Sequence, residues 1–588
     1  MCGIIGYIGK KHPKDILIEG LKSLEYRGYD SSGIALKNKN NIQIIKSVGK
    51  IKDLEEKLQK EKLIDSNIGI AHTRWATHGV ANEINAHPHK VGKITLVHNG
   101  IIENSKELKE KLQKEGVIFN SDTDTEVAAA LMNYYYDGNI IESINKAIKE
   151  LKGSYALGIL VEDKDNLYAV RKDSPLILGI GKDEMFIASD ISAIISETNK
   201  YILLEEGEIA ELNKDSYTIW KENKKVENEV KIADISKEAK EKGNYDHYML
   251  KEMMEEPIVL EKTLKPYLDN MDLLPDLTKY EEIHMVACGS AMHAGFIGKY
   301  LLEEKCNIPT LVECASEYRY RKVLYKKNTL VILISQSGET ADTIAAMKKA
   351  KDNGIETLSI VNVKTSTIAR EADRSLFIEA GPEIAVATTK AYILQVALIA
   401  LLAYNASRKI NKDEKDLEKE LRSLPSLIQE ILGRRDSYKK IAKKIYNHNS
   451  IFFIGRLIDY SICLEGSLKL KEISYIHSEA YQAGELKHGT ISLIEENTPV
   501  IAVVTTEAIK EKTISNIEEV KSRGAFIITI SNDKLTCGDI NLRVPKISDY
   551  FEPILVVPIL QFIAYETAKL RNCDIDKPKN LAKSVTVE

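Results

Sequence analysis

The sequence predicts a multidomain protein in which a layered α+β sandwich precedes two doubly wound α/β domains. Residues 1–230 contain short apolar runs that alternate with amphipathic helical patterns, and two sheets covered by helices fit that alternation. Beyond residue 240, a pattern of strand, glycine turn and helix occurs twice, which is typical of parallel sheets. A stretch rich in Lys, Glu, Asn and Asp, at about 205–245, is interpreted as a connector between these parts.

The elements of the first part are predicted from runs of apolar residues that turn residues separate. The predicted strands cover residues 4–8, 32–36, 42–45, 68–71, 94–97, 155–161, 167–171 and 185–189. The predicted helices cover residues 15–24, 51–60, 105–115 and 125–136.

The second part is predicted to begin with a helix at residues 246–262 and to continue with the two repeats. In the repeats, the strands and helices are predicted at residues 282–287, 295–302 and 330–334, and again at 451–454, 464–473 and 499–505. Residues 421–432, with Pro425 inside the segment, are predicted to join the repeats. The apolar run at 393–404 is too short for a membrane span and contains Gln395, so it is interpreted as a buried helix.

Composition limits the possible functions and locations. A formal net charge of −5 gives no electrostatic argument for binding nucleic acid or an anionic membrane. The seven cysteines contain no C-x-x-C pair and are odd in number, which indicates reduced thiols in the cytoplasm.

The chain begins Met1-Cys2-Gly3, with a second glycine at position 6, which is an unusual start. Removal of Met1 would leave Cys2 with both a thiol and a free α-amine. The thiolate is a nucleophile, and the α-amine, with a reference pKa of roughly 7.7–8.0, can accept the thiol proton near neutral pH. The alternative is a buried structural cysteine, and these first residues alone do not choose between the two.

Three later runs carry a resemblance: AHTRWATHG at residues 71–79, HNGIIEN at 98–104 and SDTDTE at 121–126. In this order after Cys2, they resemble the glutaminase domain of class II glutamine amidotransferases, which are N-terminal-nucleophile hydrolases. The resemblance implies an αββα sandwich in which Cys2, as the mature N-terminus, attacks the side-chain amide of glutamine.

The attack would form an oxyanion, which needs two donors aimed at it. Asn99 and Gly100, predicted on a tight turn after a strand, suit that role; an ordinary Asn-Gly hairpin turn is the alternative. Arg74 offers a planar fork for the α-carboxylate of glutamine, and Asp124 offers a counter-charge for its α-ammonium.

Other polar and aromatic residues near these runs have less defined roles. Thr77 and His78 resemble further glutamine contacts, and Trp75 either shields the thiol from water or is a core aromatic residue. A zinc site is conceivable because five of the twelve histidines lie close together, at positions 72, 78, 87, 89 and 98. Since no cysteine lies nearby at ligand spacing, these histidines are predicted to be mainly structural, with His78 the exception.

Hydroxyl and amide groups cluster in the second part where a strand ends and a helix begins. Ser335, Gln336, Ser337 and Thr340 lie there, and helix N-terminal N–H groups favour a phosphate at such a place. A simple helix cap is the alternative, but it needs only one hydroxyl. No P-loop sequence occurs, so a sugar phosphate is favoured over a nucleotide, and Ser290 is a candidate for a further phosphate contact.

The two repeats resemble sugar isomerase (SIS) domains. Four further runs, together with the glutaminase motifs, resemble the glutamine–fructose-6-phosphate aminotransferase family over essentially the whole length. These runs lie at residues 383–390, which includes Val386 as a sugar-phosphate contact, and at 465–473, 484–489 and 580–588. The resemblance implies conversion of fructose 6-phosphate and glutamine to glucosamine 6-phosphate and glutamate, the first step of amino-sugar and UDP-N-acetylglucosamine synthesis.

The resemblance also implies the catalytic groups of the sugar site. Lys583 would form a Schiff base, Glu472 would move a proton between C1 and C2, and His488 would open the sugar ring. Lys469 lies one helical turn before Glu472, so both can face one pocket, whereas an exposed surface ion pair is the alternative. The sequence departs from the family pattern at Ala291 and Leu457.

The resemblance implies a homodimer that binds only small-molecule substrates and needs no redox cofactor or metal. The same build acting on another phosphosugar or a fructosamine phosphate is the alternative, and a non-catalytic sugar-phosphate sensor is a second one. The predicted domains are residues 2–240 for the glutaminase, 241–425 and 426–575 for the two SIS domains, and 576–588 for a C-terminal active-site tail.

Overall fold

The computed structural model describes residues 2–25, 28–39, 41–75, 79–233, 242–411 and 417–585. The chain divides into two compact units. The first unit comprises Met1–Glu241 and Ala582–Glu588, and the second comprises Lys242–Leu581. The predicted fold class, a sandwich of two sheets followed by two doubly wound parallel sheets, is confirmed.

The first unit is built from two antiparallel sheets and the helices that cover them. Its strands are β1 (Gly3–Ile8), β2 (Ser31–Asn38), β3 (Asn41–Val48), β4 (Ile68–Arg74), β5 (His89–Val91), β6 (Ile94–Ile102), β7 (Gly153–Val161), β8 (Leu167–Lys172), β9 (Ile177–Ile180), β10 (Met185–Ala188), β11 (Lys200–Leu203), β12 (Ile209–Leu212), β13 (Tyr217–Lys221), β14 (Lys224–Val226) and β15 (Lys231–Ile232). Its helices are α1 (Pro13–Leu24), α2 (Ile51–Leu58), α3 (Ser105–Lys114), α4 (Asp124–Tyr134) and α5 (Ile140–Glu150).

The two sheets stack face to face and give the predicted αββα sandwich. One sheet has the strand order β15-β11-β9-β10-β1-β4-β2-β3, and the other has the order β14-β13-β12-β8-β7-β6-β5. Successive side chains of β1 point to opposite faces, so Ile4 and Ile8 pack between the sheets while Ile5 and Tyr7 pack in the core that includes α1 and α2. Helices α3, α4 and α5 cover the outer face of the second sheet.

Residues 205–232 belong to the two sheets, so the interpretation of this part of the stretch as a connector is wrong. Strands β12, β13 and β14 continue the seven-stranded sheet through it, and β15 ends the eight-stranded sheet. Strand β14 lies at the edge of the sheet, where its two lysines discourage pairing with another chain, and β13 lies between β14 and β12. Helix α5 and strands β9 and β11 were also not predicted.

The second unit contains two parallel sheets surrounded by helices. Its strands are β16 (Glu282–Ala287), β17 (Thr310–Cys314), β18 (Thr329–Ser335), β19 (Glu356–Val361), β20 (Arg374–Phe377), β21 (Ser450–Gly455), β22 (His477–Gln482), β23 (Pro499–Val504), β24 (Phe526–Ser531) and β25 (Ile540–Arg543). Its helices are α6 (Tyr248–Asp269), α7 (Ser290–Cys306), α8 (Ala315–Tyr318), α9 (Ala341–Asp352), α10 (Thr367–Glu371), α11 (Lys390–Ile410), α12 (Glu418–Leu432), α13 (Arg435–Ile445), α14 (Ile458–Ser474), α15 (Lys510–Lys521) and α16 (Glu552–Leu570).

The predicted internal repeat is confirmed by the topology. The sheets have the orders β17-β16-β18-β19-β20 and β22-β21-β23-β24-β25, which are the same order when each is numbered from its own first strand. Helices α7 and α14 are 17 residues long, and each ends at a residue with left-handed backbone, Asn307 and Tyr475 respectively. The division predicted between residues 425 and 426 falls inside α12.

The long apolar helices of the second unit form its core. Helices α11 and α16 are long and apolar enough to cross a bilayer, but both are buried within this unit. The interpretation of residues 393–404 as a buried helix is therefore confirmed.

Candidate functional site

Cys2 lies at the start of β1, beside the end of β4. Gly3 pairs with Thr73 in the sheet, and the backbone N–H of Trp75 donates to Sγ of Cys2 at 3.3 Å. A side chain at Gly3 would come within 2.7 Å of Leu24, so glycine is needed here for close packing. Burial raises the pKa of the Cys2 thiol, so the thiolate needs local help to form.

Arg74 and Asp124 are close enough to Cys2 for their charges to act on its thiol. The Arg74 guanidinium lowers the pKa of that thiol and the Asp124 carboxylate raises it, both less than burial does. Arg74 is buried and donates to the backbone oxygens of Gly79 at 3.2 Å and Val80 at 3.5 Å. The structure therefore places a cation and an anion near the thiol, as binding an amino acid requires.

Asn99 and Gly100 lie within β6, so the prediction of a tight turn at these residues is wrong. Strand β6 continues to Ile102 and pairs with β7 along its whole length, with Gly100 opposite Tyr155. Gly100 has a φ of +131°, and a Cβ there would lie 2.1 Å from the backbone oxygen of Ser154. Only glycine fits this conformation and this approach to β7.

Asp124 is held by a helix cap that the sequence interpretation missed. Thr123 caps α4 by accepting from the backbone N–H of Glu126 at 3.3 Å. The Glu126 carboxylate reaches back to the N–H groups of Asn120 and Ser121, at 2.9 and 2.7 Å. The spacing of a threonine and a glutamate three residues later was the available signal. This cap fixes the first turn of α4, where the Asp124 carboxylate accepts from the N–H of Ile102 at 2.9 Å.

Four of the five clustered histidines, His72, His87, His89 and His98, are buried in the first unit. Their ring nitrogens contact the hydroxyls of Thr123 and Thr125, the amide of Asn99 and the backbone oxygen of His98. No group of three or more potential metal ligands occurs among the described residues.

Thr77 and His78, two further predicted glutamine contacts, lie outside the described residues. The Trp75 side chain is half-buried and makes an edge contact with Tyr29.

In the second unit, the clustered hydroxyls lie where a ligand is expected in a doubly wound sheet. The chain leaves β16 toward β17 on one side and leaves β18 toward β19 on the other, so the crevice lies beyond the ends of β16 and β18. Ser335 ends β18, and its hydroxyl accepts from the N–H of Gly338 at 3.0 Å and lies 3.1 Å from that of Thr340, the residue before α9. Gly338 has a φ of +65°, and a Cβ there would meet the Ser366 hydroxyl at 2.0 Å.

The neighbouring predicted phosphate contacts take part in the same loops. The Ser337 hydroxyl accepts from the N–H of Glu339 at 3.1 Å, and the backbone oxygen of Gln336 accepts from Asn362 at 3.2 Å. Val386 donates its backbone N–H to the oxygen of Asp576 at 2.9 Å. The Asp576 carboxylate accepts from the first N–H groups of α6, so the start of the C-terminal tail is held in place.

Ser290 belongs to a buried charged cluster between α7 and α14. Its hydroxyl donates to one oxygen of Glu465 at 2.9 Å, and Nδ1 of His293 lies 2.8 Å from the other. Lys469 lies 3.5 Å from Glu465 and also forms an ion pair with Glu472. The alternative, that Lys469 and Glu472 form an exposed surface ion pair, is wrong, because the Lys469 side chain is 1% exposed.

The two glutamates of this cluster keep Lys469 protonated. Burial opposes the charge of Lys469, but the carboxylates of Glu472 and Glu465 raise its pKa above the ordinary value. Sequence reasoning missed Glu465 and His293. Glu465 lies one helical turn before Lys469, which was a usable signal, whereas His293 lies on a different helix and gave none.

Two predicted catalytic residues, His488 and Lys583, are not part of this cluster. His488 is exposed on a short helix, Leu486–His488, and no hydrogen bond or ion pair among the described residues joins it to Glu465, Lys469 or Glu472. Lys583 is half-buried and is grouped with the first unit.

Comparison with known proteins gives matches along the whole chain. The family model described as a glutamine amidotransferase domain matches residues 72–196, and the SIS domain model matches residues 276–404 and 444–536. Proteins named glutamine–fructose-6-phosphate aminotransferase (isomerizing) from Clostridium tetani and Pyrococcus horikoshii are 48% and 46% identical, each aligned over 100% of both chains. A solved C-terminal domain of glucosamine-fructose-6-phosphate aminotransferase from Francisella tularensis is 34% identical, covers 57% of this chain and 99% of its own, and has a TM-score of 0.54.

Proposed function

The chain belongs to the glutamine–fructose-6-phosphate aminotransferase family, and we propose that it makes glucosamine 6-phosphate from fructose 6-phosphate and glutamine. Glutamate is the second product. Identity to relatives of that name over the full length of both chains carries this proposal, because a fold alone does not determine a function.

In the first unit, the Cys2 thiol attacks the side-chain carbonyl carbon of glutamine, and the α-amine of Cys2, freed by removal of Met1, accepts the thiol proton. The amide of Asn99 and the N–H of Gly100 donate to the oxyanion. Ammonia leaves with the proton that the amine held, and water then hydrolyses the thioester to glutamate. Arg74 and Asp124 hold the ends of glutamine, Trp75 shields the thiol, and Thr77 and His78 make further contacts.

In the second unit, the loop after β18 binds the phosphate of the sugar at the N-terminus of α9. The proposed phosphate contacts are Ser290, Ser335, Gln336, Ser337, Thr340 and Val386. His488 transfers the proton that opens the ring. Lys583 condenses with the C2 carbonyl and releases water, and ammonia then displaces Lys583 from C2.

The last step converts the C2 imine to an amino aldose. Glu472 removes a proton from C1 and a proton is delivered to C2, so no oxidant or reductant is needed. Lys469 holds the Glu472 carboxylate in place through their buried ion pair. A base held in this way acts at one side of the sugar and so fixes the stereochemistry at C2.

The assembly and location follow from the same proposal. We propose a homodimer, because the exposed position of His488 suits a residue that completes the site of another copy. We propose a cytoplasmic enzyme, which the seven free cysteines support.

The proposed domains remain residues 2–240, 241–425, 426–575 and 576–588, with the second division lying within α12. Fructose 6-phosphate is favoured over other phosphosugars because the full-length relatives are named for it.

The proposal is tested by measuring glucosamine 6-phosphate from fructose 6-phosphate with glutamine or with ammonia. The wild-type enzyme should use glutamine, and Cys2→Ala should lose glutamine-dependent synthesis and glutaminase activity together. Turnover of a different phosphosugar in preference to fructose 6-phosphate, or glutamate release by Cys2→Ala near the wild-type rate, would contradict it.

A further inference from the structure

The side-chain amide of Asn99 has a donor end and an acceptor end of nearly the same shape. Only the donor end, Nδ2, stabilises an oxyanion, and the acceptor end would repel it. Glutamine hydrolysis at Cys2 therefore depends on which end of the amide is turned away from its neighbours and toward the substrate. This inference rests on the proposed glutaminase function of the first unit.

The contacts of His72 settle the orientation of that amide. His72 lies on β4 and is fully buried, and its Nε2 atom is 2.9 Å from the backbone oxygen of His98 and 3.1 Å from Oδ1 of Asn99. A backbone carbonyl can only accept a hydrogen bond, so Nε2 must carry a proton. The same N–H then faces Asn99, and only the oxygen of its amide can accept from it. The amino group of Asn99 consequently points away from His72.

The surroundings of His72 keep its ring in this one state. Burial lowers the pKa of His72 to about 3, so the ring is neutral and has a single N–H. The ring packs against that of His87, with centroids 4.1 Å apart and planes tilted by 33°, and this close contact opposes rotation. His87 is itself held by the hydroxyl of Thr125 at 3.0 Å. Because the ring is neutral and carries its proton on Nε2, Asn99 can face it only with Oδ1.

We propose that His72 is a positioning residue for glutamine hydrolysis, which orients the amide of Asn99 so that Nδ2 can donate to the oxyanion. His72 acts only through Asn99 in this role. It neither receives the thiol proton nor binds glutamine.

The test compares His72→Leu, which removes the N–H, with His72→Gln, whose side-chain nitrogen can donate to the same two oxygens. His72→Leu should lower kcat for glutamine hydrolysis by between roughly tenfold and the 10²–10³-fold that losing an oxyanion donor costs. KM for glutamine should change little, because the oxyanion forms only during the reaction. His72→Gln should restore most of kcat.

Three controls separate orientation from general damage. His89→Gln alters another buried histidine of the same cluster, which contacts Thr123 instead of Asn99, and should keep its glutaminase activity. Alkylation of Cys2 by iodoacetamide, followed on the Cys2 peptide by mass spectrometry, needs no oxyanion and should keep its rate in His72→Leu. The double variant with Asn99→Ala should be no slower than Asn99→Ala alone, because both changes remove the same interaction.

The outcomes distinguish this inference from the proposed function. A wild-type enzyme without glutaminase activity, or an active Cys2→Ala variant, would overturn the proposed function itself. With that activity established, the role of His72 is overturned by any of three results: unchanged kcat in His72→Leu, no rescue by His72→Gln, or additive losses in the double variant. Equal losses in His89→Gln would also overturn it, since they would indicate disturbed packing of the histidine cluster.

Discussion

The two repeats of the second unit share one topology but differ at the crevice beyond the ends of their central strands. In the second repeat, Asp459 is the second residue of α14, and its carboxylate accepts from the N–H groups of Thr505 and Thr506 at 3.0 and 3.1 Å. In the first repeat, the second residue of α7 is Ala291, which supplies no acceptor. The second repeat therefore provides its own carboxylate, whereas the first does not, and we propose that the phosphate of the substrate occupies the matching place there.

The backbone at the start of these two helices is the same, although the residues differ. Gly289 precedes α7 with φ and ψ of +57° and −133°, and Leu457 precedes α14 with +54° and −123°. Glycine adopts this conformation readily, whereas leucine is strained in it. The fold thus preserves the turn in both repeats, even where the residue is unfavourable.

The largest effect on sugar binding is expected when Ala291 is replaced by aspartate, the residue at the matching position of the second repeat. Ala291→Asp should compete with the sugar phosphate for the same donors and repel its charge. Loss of about two hydrogen bonds to a charged group amounts to roughly 3 kcal/mol, or about a hundredfold in KM for fructose 6-phosphate. The measurement is ammonia-dependent glucosamine 6-phosphate synthesis as a function of sugar concentration.

The matched control for this change is Ala291→Asn, which has a similar size and no charge. It should weaken sugar binding much less than Ala291→Asp, and both should leave glutamine hydrolysis unchanged. Equal effects of the two variants would show that size, rather than a competing anion, matters at this position.

An effect of comparable size is expected from the carboxylates of the second repeat. Burial and the nearby Asp459 carboxylate raise the pKa of Glu552 to about 7 from its usual 4.5. The folded state therefore favours the neutral acid. The stabilisation of the folded state by protonated Glu552 is present at low pH and is lost as pH rises from about 4.5 through 7. The wild-type free energy of unfolding should fall by roughly 3 kcal/mol over this pH range because of Glu552, and Glu552→Gln should not show this fall.

Thermal unfolding between pH 5 and pH 8 measures this effect. The wild-type transition of the second unit should move to lower temperature across this range by more than that of Glu552→Gln. Parallel curves for the two proteins would contradict a raised pKa for Glu552 in the folded state.

The smallest effect is expected at the strained turn before α14. Leu457→Gly should raise stability by about 1 kcal/mol, because it relieves a left-handed backbone while losing a side chain that is already 48% exposed. Gly289→Ala, at the matching turn with open space around it, should lower stability by a similar amount. Differential scanning calorimetry of the two variants measures both, and a lower Tm for Leu457→Gly would contradict the strain.

Much of the fold could be predicted from local patterns, and the failures have physical causes. Apolar runs such as Gly3–Ile8 and the repeated strand, glycine and helix gave the correct elements because burial imposes their periodicity. Strand β14 was missed because its exposed lysines, at the edge of the sheet, resemble a linker. Asn99 and Gly100 were assigned to a turn because pairing with β7, over 50 residues later, is not visible locally.

The candidate sites divide in the same way. Glu126 could have been found from its capping spacing, and Glu465 from its position one turn before Lys469. The contact between His293 and Glu465, and that between His72 and Asn99, join different elements and depend on how these pack. Tertiary packing, rather than sequence spacing, determines such contacts.

The most direct test of the proposed sugar chemistry is borohydride reduction of the enzyme in the presence of fructose 6-phosphate. Mass spectrometry of the peptides should place one reduced sugar adduct on Lys583, and Ala291→Asp should reduce its yield because the phosphate is excluded. An adduct on a different lysine, or none in a wild-type enzyme that makes glucosamine 6-phosphate, would contradict the account.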